Sequence, residues 1–322
     1  MALDGSRFAL IGAAGYIAPR HMKAIKETGN VLVAALDAND TVGILDSFFP
    51  DARFFTEFER FDRYLDLLRR KDESVDYVSI ASPNYLHDSH IRFALRVGAT
   101  AICEKPLVVN PWNAESLCDI EAESGQQVFT ILQLRLHPSI VALRERVAQM
   151  RRAGRSGAVE FDLTYITSRG SWYFASWKGD ERKSGGIVPN IGIHFFDMLV
   201  WIFGDVEESE VTFVRHDVAS GVLRFDGATV RWFLSVNADH LPDEAKAKGQ
   251  RTYRSITLEG DEIEFSDGFT DLHTESYKAI LDGRGFGLDD ALPSIELAHE
   301  IRHAAPKGVT ADSHPFASRV KA

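Results

Sequence analysis

Short apolar runs alternate with helical patterns along the first 130 residues, and this alternation limits the folds open to the chain. The apolar runs predict strands at 7–12, 31–36, 52–55, 76–82, 99–103 and 127–132. The periodic segments between them predict helices at 18–28, 58–70, 86–97 and 111–124. Strands that alternate with helices join through right-handed crossovers into a parallel sheet. We therefore predict an α/β domain over residues 1–130, built on a doubly wound parallel sheet.

The pattern changes after residue 135, where apolar and polar residues alternate within long segments. This alternation predicts half-buried strands at 159–168, 210–218, 219–226, 228–236 and 255–267. Asp226-Gly227 and Glu259-Gly260 are hairpin signals between them. We predict an α+β domain over residues 131–322 with a large open antiparallel sheet, one face of which is covered by a helix at 192–204. The final segment, 308–322, lacks such a pattern and is expected to be loosely ordered.

The charge and the cysteine content exclude several classes of protein. A net charge of -11 opposes binding to nucleic acid, because phosphate contacts need a basic surface. Cys103 and Cys118 form neither a CxxC pair nor a disulfide framework, which is typical of a reducing cytosol. The N-terminus lacks the cationic start of a signal peptide, and the apolar stretch 195–203 is too short to span a bilayer. We expect a soluble cytoplasmic protein with neither a nucleic-acid nor a membrane partner.

The stretch FALIGAAGYIAPRHMKAI begins as a strand, passes through a glycine-rich turn and continues as a helix. Gly12, Gly15 and Ala18 have a GxxGxxA spacing, which lets a backbone approach a pyrophosphate at the helix N-terminus. Asp37 ends the second strand about 20 residues later, where a Rossmann domain binds the ribose, and no arginine follows it directly. The sequence therefore favours NAD over NADP. The alternative to a dinucleotide site is a plain glycine turn that binds no ligand. The predicted cofactor contacts of this region are Gly12, Ala14, Gly15, Tyr16, Ile17 and Asp37.

Two further strand ends carry polar triplets, Ser82-Pro83-Asn84 after the fourth strand and Glu104-Lys105-Pro106 after the fifth. Ligands of open α/β sheets bind outside the carboxyl ends of the strands. The first triplet is placed to shape a pocket for the nicotinamide ribose, although a plain turn before a helix explains it equally well. Pro106 restricts Lys105 to an extended conformation, in which the lysine is placed to orient or polarise a substrate hydroxyl. The alternative for Lys105 is a side chain in solvent.

Four motifs, in this order, resemble the glucose–fructose oxidoreductase / inositol dehydrogenase (Gfo/Idh/MocA) family: GAAGYIAPRH, SPNYLH, CEKPL and SGGIVPNIGIHFFDML. The resemblance covers nearly the whole chain. It implies that Lys105 and His194 lie together over the nicotinamide, with Asn190 and Asp197 in the motif of His194. The predicted catalytic residues are Lys105, His194 and Asn190. Many members have aspartate where this chain has Asn190, which leaves His194 as the expected base. The resemblance also implies cofactor contacts by Ser82, Pro83, Asn84, His87, Glu104, Lys105 and Gln133.

Three further segments resemble one subgroup, the bacterial UDP-N-acetyl-2-amino-2-deoxyglucuronate 3-dehydrogenases: 133–138 (QLRLHP), 168–186 and 272–281 (LHTESYKAIL). This resemblance implies NAD-dependent oxidation of the sugar C3 hydroxyl to a 3-keto sugar, for the diacetamido uronic acids of lipopolysaccharide O-antigen. It is compatible with a retained cofactor that 2-oxoglutarate re-oxidises. The aromatic and cationic side chains at 165–186 suit a UDP-sugar better than an exposed basic loop. The predicted substrate contacts are Lys105, Arg135, Tyr165, Arg169, Trp172, Tyr173, Lys178, Asn190 and His194.

Other functions remain open at this point. One is an NAD-dependent dehydrogenase of a free sugar or of inositol on the same fold, and another is a non-catalytic NAD-binding sensor. The segment HEIRH at 299–303 matches the H-E-x-x-H zinc motif, but it lies at the end of a helix whose apolar stripe is expected to pack on the core. We interpret it as a chance match and predict no metal site.

The second sheet also suggests self-association. In 229–236 (TVRWFLSV), Trp232 and Phe233 lie on opposite faces of the predicted strand. With Phe213 and Leu223 nearby, both faces are expected to carry large apolar groups, more than an open sheet exposes to water. Packing that second face against another copy would bury it, and related enzymes commonly associate through this sheet. We predict a homo-oligomer, with a homotetramer favoured.

Overall fold

The computed structural model describes residues 5–153, 158–258, 261–264 and 271–320. It divides the chain into two compact units. The first unit consists of Met1–Gln133 and Thr270–Leu292, and the second unit consists of Leu134–Phe269 and Pro293–Ala322. The first boundary lies close to the predicted one at residue 130. The prediction of two continuous segments did not include the return of 270–292 to the first unit.

The first part of the chain forms the predicted strands and helices with small differences at their ends. The strands are β1 (Arg7–Ile11), β2 (Val31–Leu36), β3 (Arg53–Phe55), β4 (Tyr77–Ile80), β5 (Thr100–Cys103) and β6 (Val128–Thr130). The helices are α1 (Ala18–Glu27), α2 (Leu45–Phe48), α3 (Phe58–Arg69), α4 (His87–Arg96) and α5 (Pro111–Ser124). The strand order is β3-β2-β1-β4-β5-β6 with parallel pairing throughout, which confirms the doubly wound sheet. The order reverses between β1 and β4, so the segments after these strands meet where such sheets bind ligands.

The rest of the chain builds a second sheet and the remaining helices. The strands are β7 (Val159–Thr167), β8 (Val206–Val214), β9 (Val218–Phe225), β10 (Ala228–Ser235), β11 (Thr252–Leu258) and β12 (Asp261–Glu264). The helices are α6 (Pro138–Arg152), α7 (Ser171–Ala175), α8 (Glu181–Ser184), α9 (Ile193–Phe203), α10 (Asp243–Ala247), α11 (Leu272–Leu281) and α12 (Leu288–His303). The strand order is β12-β11-β7-β10-β9-β8, in which only β7 and β10 pair in parallel among the described strands. The sheet is therefore mostly antiparallel, as predicted, and the Glu259-Gly260 signal lies outside the described residues.

Helix α9 covers one face of the second sheet, which confirms its predicted place. The ring of Phe196 meets Trp232 edge-on at 5.4 Å, and Phe203 lies 4.8 Å from Phe161. Trp232 is fully buried because β9 has a glycine opposite it. A Cβ on Gly221 would lie 2.6 Å from the indole ring, so a larger residue there would displace the tryptophan.

The other face of this sheet differs from its prediction. Phe233 is fully buried in a cluster with residues of β7, β9 and the segment before α10, and the C-terminal residues Phe316 and Val320 pack on that cluster. His314 stacks on Phe233 at 5.6 Å and contacts Thr164 Oγ1 through Nε2 at 3.1 Å. The expectation of a loosely ordered tail is therefore wrong for its described part.

The premise of an open apolar face is wrong as well. Leu223 pairs with Val230, so it lies on the face covered by α9 and not beside Phe233. Away from Phe233, the second face carries ion pairs, among them Arg231 with Asp162 and Arg224 with a glutamate of β8. The face that was expected to pack on a second copy is thus covered by the C-terminal residues around Phe233 and carries ion pairs elsewhere.

One helical stretch among the described residues, Glu181–Phe203, has the length and apolar composition to cross a membrane. It contains α8 and α9, and 78% of its most apolar part is buried inside the protein. Burial of this extent is typical of a core helix in a globular domain, as the packing of α9 on the second sheet illustrates.

Candidate active site

The glycine-rich turn after β1 is shaped for close approach of a ligand. Gly12 has a φ of +91°, and a Cβ there would lie 2.6 Å from the backbone of Ala81 and Ser82, so this position requires glycine. The Gly15 N–H donates to the Gly12 carbonyl at 3.0 Å, which closes the turn. No described side chain caps the N-terminus of α1 that follows. In the first turn of α1, the N–H groups of Ala18 and Arg20 donate to the Gly15 and Ile17 carbonyls at 3.1 and 2.9 Å, and Pro19 has no N–H. The glycine-rich turn that leads into the helix is therefore the part suited to a pyrophosphate.

Asp37 lies beside this turn, directly after β2. One carboxylate oxygen accepts the Ala14 N–H at 2.9 Å and the other accepts the Asn39 N–H at 2.9 Å. The half-buried carboxylate is thus fixed where a Rossmann domain binds the ribose. Of the other predicted contacts, Tyr16 is exposed and Ile17 packs against the core of the unit.

The loop after β4 is tied to the loop after β5 by a buried histidine. His87 is fully buried, with Nε2 at 2.8 Å from the Ser82 carbonyl and Nδ1 at 2.8 Å from the Pro106 carbonyl. Burial lowers the pKa of His87, although both carbonyls favour its protonated form. Ser82 Oγ contacts His90 Nδ1 at 2.9 Å, and a short 3₁₀ turn begins at Asn84, which is buried. Both ring nitrogens of His87 are therefore engaged by backbone carbonyls of the two loops, and its predicted cofactor contact stays a prediction.

Glu104 lies in a buried polar network that the sequence did not reveal. Its Oε1 accepts N–H groups from His21 Nε2 at 3.1 Å and from His273 Nε2 at 2.8 Å. The other nitrogen of His21 contacts the Tyr277 hydroxyl at 2.7 Å, which contacts Ser79 Oγ at 2.6 Å. Burial alone would raise the pKa of Glu104, but the two imidazole donors hold it well below its usual range. The carboxylate is therefore ionised in the core of the first unit.

Lys105 and Gln133 complete the predicted contacts of the first unit. Lys105 is half-buried at the end of the β5 strand, directly after the ionised Glu104, and its peptide bond to Pro106 is cis. Gln133 is buried at the end of the first segment. The cofactor contacts of both residues stay predictions.

Helix α9 and the turn before it hold the predicted catalytic residues of the second unit. His194 is half-buried in the first turn of α9, and Asn190 lies in a π-helical turn, Val188–Gly192, directly before it. Such turns are frequent at functional sites. The Asn190 side-chain amide donates to the Tyr173 hydroxyl at 2.7 Å, and both residues are buried. Burial raises the pKa of Tyr173, so this phenol stays neutral.

Arg135 and Tyr165 are buried in the second unit. The Arg135 guanidinium donates to both oxygens of Asp197, at 2.7 and 3.1 Å, in a bidentate ion pair that is almost fully buried. Tyr165 packs on Phe195 at 4.6 Å, with the Arg254 guanidinium 5.1 Å from the centre of its ring. Asp197 lies one turn after His194, so the ion pair fixes the helix that carries the expected base. The substrate contacts of Arg135 and Tyr165 stay predictions.

The segment 168–186 combines cations with aromatic rings. Lys178 Nζ lies 4.2 Å from the ring centre of Trp177 and 5.9 Å from that of Trp172, whose side chain is 54% exposed. Burial and the nearby Arg169 charge lower the pKa of Lys178. The Arg169 Nε is buried and has no hydrogen-bond partner among the described residues, and no described carboxylate pairs with either cation. A charged site without a counter-charge is suited to an anionic ligand.

The histidines of the HEIRH segment lie in α12, with ring centres 4.2 Å apart. His303 Nδ1 contacts the His299 carbonyl at 2.8 Å. Within the described ranges, the one group of three side chains placed to share a metal ion lies elsewhere and consists of His21, Glu104 and His273. That group includes neither histidine of the HEIRH segment, and the expected absence of a metal site stays a prediction.

Two family models together match most of the chain. One, described as "Oxidoreductase family, NAD-binding Rossmann fold", matches residues 6–132, and the other, "Oxidoreductase family, C-terminal alpha/beta domain", matches 152–280. A structure of the WlbA (WbpB) dehydrogenase from Thermus thermophilus with NAD and alpha-ketoglutarate is 54% identical over 97% of this chain and 99% of that one, with a TM-score of 0.92. Another, with NAD and UDP-GlcNAcA, is 53% identical with the same coverage and TM-score.

More distant relatives have the same fold or match over shorter spans. The WlbA dehydrogenase from Bordetella pertussis is 22% identical over 95% of this chain and 96% of that one, with a TM-score of 0.74. Inositol 2-dehydrogenase from Rhizobium meliloti (strain 1021) is 28% identical over 202 residues, which are 62% of this chain and 55% of that protein. D-glucoside 3-dehydrogenase from Escherichia coli (strain K12) is 29% identical over 130 residues, 40% of this chain and 36% of that protein. The chain thus spans less than two thirds of the length of these two curated relatives.

Proposed function

The chain belongs to the Gfo/Idh/MocA oxidoreductase family, and on that premise we propose that it oxidises the C3 hydroxyl of UDP-N-acetyl-2-amino-2-deoxyglucuronate with NAD, forming the 3-keto sugar. The observation that carries the proposal is the 53% identity, over nearly the full length of both chains, to a dehydrogenase crystallised with NAD and UDP-GlcNAcA. The chemistry of both units is compatible with these two ligands.

The first unit fits NAD. The position of Gly12 leaves no room for a side chain, so backbone and a pyrophosphate can approach each other there. Asp37 would bind the ribose hydroxyls, and its negative charge would repel the 2′-phosphate of NADP. Bound NAD supplies the hydride acceptor, and the remaining steps belong to side chains of this chain.

The proposed chemistry assigns the steps of an alcohol oxidation to two residues, His194 and Lys105. His194 removes the proton of the C3 hydroxyl while the hydride leaves C3 for the nicotinamide. Lys105 binds the same oxygen and stabilises the negative charge that develops on it. Asn190 is not proposed as an acid or base, because a side-chain amide does not ionise at neutral pH. Its N–H group forms a hydrogen bond to the Tyr173 hydroxyl. Its proposed role is to orient substrate beside the base.

The cations of 168–186 are proposed to bind the anionic groups of the substrate. A UDP-linked uronic acid carries a diphosphate and a carboxylate, and Arg169 and Lys178 have no described carboxylate that would compete for them. Trp172 offers an exposed aromatic surface beside these charges, which is suited to a sugar or a base. Arg135 and Tyr165 are proposed as further substrate contacts of this site.

The wider setting of the enzyme is part of the same proposal. We propose that 2-oxoglutarate re-oxidises the bound cofactor, since a similar enzyme was crystallised with NAD and alpha-ketoglutarate. The product would enter the synthesis of diacetamido uronic acids for lipopolysaccharide O-antigen in the cytoplasm. A homotetramer is proposed on the family resemblance alone. Light scattering at micromolar concentration tests it, and a mass near the 35.9 kDa of one chain contradicts it.

The decisive experiment is to incubate the purified protein with NAD and the UDP-sugar, adding 2-oxoglutarate in half of the reactions. Mass spectrometry should detect a 3-keto sugar that has lost two hydrogens, in larger amount where 2-oxoglutarate is present. Myo-inositol and free N-acetylglucosaminuronate are the matched controls. Turnover of a control compound but not of the UDP-sugar would support a free-sugar dehydrogenase, and NAD binding without any turnover would support a sensor.

A further inference from the structure

Three buried histidines surround the Glu104-Lys105-Pro106 triplet, and the proposed function gives a role only to its lysine. His21 and His273 donate to the Glu104 carboxylate, and His87 contacts the Pro106 carbonyl. Their ring nitrogens face groups of the protein and not an open surface. We propose that His21 and His273, acting through Glu104, are positioning residues that hold Lys105 in its reactive place. This inference rests on the proposed role of Lys105.

The hydrogen bonds connect the lysine backbone to two helices. Glu104 Oε2 accepts the Lys105 N–H at 3.3 Å, while Oε1 accepts both imidazole N–H groups. His21 belongs to α1, which begins at the glycine-rich turn, and His273 belongs to α11, which packs on α1. The backbone at Lys105 is thus tied to the helix that follows the turn proposed to bind the pyrophosphate. A shift of either helix would reach the lysine through one carboxylate.

The protons of this network can be assigned from its contacts. An ionised Glu104 has no proton, so each histidine must donate from Nε2. The Nδ1 atom of His21 lies 2.7 Å from the Tyr277 hydroxyl, which lies 2.6 Å from Ser79 Oγ. Two imidazole N–H groups thus converge on one carboxylate oxygen. The Nδ1 of His273 is buried and has no hydrogen-bond partner among the described residues, which fits an imidazole held for the sake of its other nitrogen.

The far side of the lysine is held by a separate contact. His87 lies within 2.8 Å of both the Pro106 and the Ser82 carbonyls, so the loop after β5 cannot move without the loop after β4. The triplet is therefore held at Glu104 from one side and at Pro106 from the other. Fixing the backbone on both sides of Lys105 fixes the point from which its side chain reaches the substrate, which is how positioning contributes to catalysis.

Stability alone does not require this arrangement. Buried carboxylates are costly, and replacing buried ionic groups by packed apolar residues is often neutral or stabilising. Simple attachment of α11 to α1 is already provided by Thr274, whose hydroxyl donates to Glu27 at 2.8 Å, and by an ion pair of Lys23 with Asp271 at 2.7 Å. A structural role would be equally well served by these bonds, and they do not touch Glu104.

The test compares two substitutions of His273. Glutamine can place an amide N–H where Nε2 lies, so H273Q should keep kcat within about threefold of wild type. H273L fills the space without a donor and should lower kcat by about thirtyfold, a loss that sub-ångström misplacement of a reacting group can cause. Because Lys105 acts in the chemical step, H273L should also reveal a primary deuterium isotope effect at C3. The Kd for NAD should stay within about twofold in both variants.

The matched control is T274V, which removes the neighbouring bond between the same two helices. It should lower the free energy of unfolding as H273L does, yet leave kcat of the folded enzyme unchanged. Equal kcat in H273L and T274V, corrected for folded fraction by circular dichroism, would overturn the positioning role. So would a loss in H273Q as large as that in H273L.

Two measurements on wild type separate this inference from the proposed function. If wild type does not oxidise the UDP-sugar, the proposed function fails. Histidine ¹⁵N spectra of the cofactor-bound protein, which need no activity, should show both rings protonated at Nε2, assigned with H273Q and H21Q. An unprotonated Nε2 on either ring would overturn the proton assignment. One equivalent of zinc or iron in the purified protein would do so as well, because His21, Glu104 and His273 could then be ligands.

Discussion

Glu104 in the first unit and Asp197 in the second are buried carboxylates, and each lies within three residues of a proposed catalytic residue. The protein compensates the two charges differently. Asp197 faces Arg135 in a bidentate pair with no net charge. Glu104 receives two N–H groups from imidazoles and keeps its negative charge. The residue after Glu104 is Lys105, the proposed catalytic cation. His194, the expected base, lies one helical turn before Asp197, and the ion pair leaves no uncompensated carboxylate charge near it.

The largest effect is expected from removing the two catalytic residues themselves. Lys105→Met and His194→Asn should each lower kcat by about a thousandfold or more, which corresponds to about 4 kcal/mol of transition-state stabilisation. The Kd for NAD should change little, because the pyrophosphate and the ribose are proposed to bind at the glycine-rich turn and at Asp37. Stopped-flow measurement of NADH formation tests both. Normal turnover by either variant would show that the residue is not catalytic. The carboxylate near it would then have no catalytic residue to support.

The next effect concerns the ion pair of the second unit. Arg135→Met leaves Asp197 buried without its partner and should destabilise the protein by about 3–5 kcal/mol. The double variant Arg135→Met/Asp197→Leu should recover most of that loss, because two packed apolar residues carry no buried charge. Urea unfolding of the three proteins measures both values. A double variant as unstable as the single one would mean that packing, and not the unpaired charge, is responsible.

A smaller effect is expected at the carboxylate of the first unit. Glu104→Gln keeps an acceptor for the imidazoles but removes the charge, and should cost about 2–3 kcal/mol at pH 7. Since the pKa of Glu104 is held below its usual range, the advantage of wild type is present above the unfolded pKa of about 4.3 and disappears as the pH falls further. Urea unfolding at several pH values tests this. An advantage that grows on acidification would show that Glu104 is protonated in the folded state.

The smallest effect extends the comparison to a buried group that is held neutral. Burial lowers the pKa of His314 to about 4, so the unfolded chain takes up a proton first as the pH falls below about 6.5. Wild type should therefore lose about 1–2 kcal/mol between pH 7 and pH 5 relative to His314→Leu, whose stability should be flatter. Parallel urea titrations at both pH values measure the difference. Identical pH dependence of the two proteins would mean that His314 takes up its proton in the folded protein as readily as in the unfolded chain.

The sequence predicted those parts of the molecule that depend on local pattern. Strand and helix positions followed from periodicity, and the place of Asp37 followed from its distance along the chain from Gly15. The network around Glu104 could not be found in this way, because its histidines lie 83 and 169 residues from it. His21 ends the motif GAAGYIAPRH, but the resemblance gave it no role. The segment 272–281 contributed to the resemblance without any role for His273. The tail escaped prediction because three separated residues, and no periodic stripe, attach it to Phe233.

The return of 270–292 to the first unit has a consequence for how the protein is made. During synthesis, an N-terminal domain commonly folds before the rest of the chain has left the ribosome. Here the nascent chain presents Glu104 and His21 long before His273 and Tyr277 exist, so the carboxylate would have to remain hydrated until the second unit has been translated. A ribosome stalled after residue 133 should therefore carry a chain whose Rossmann sheet is still open to protease. Protection should begin when α11 emerges, which makes the last-synthesised part of this unit the one that completes its core.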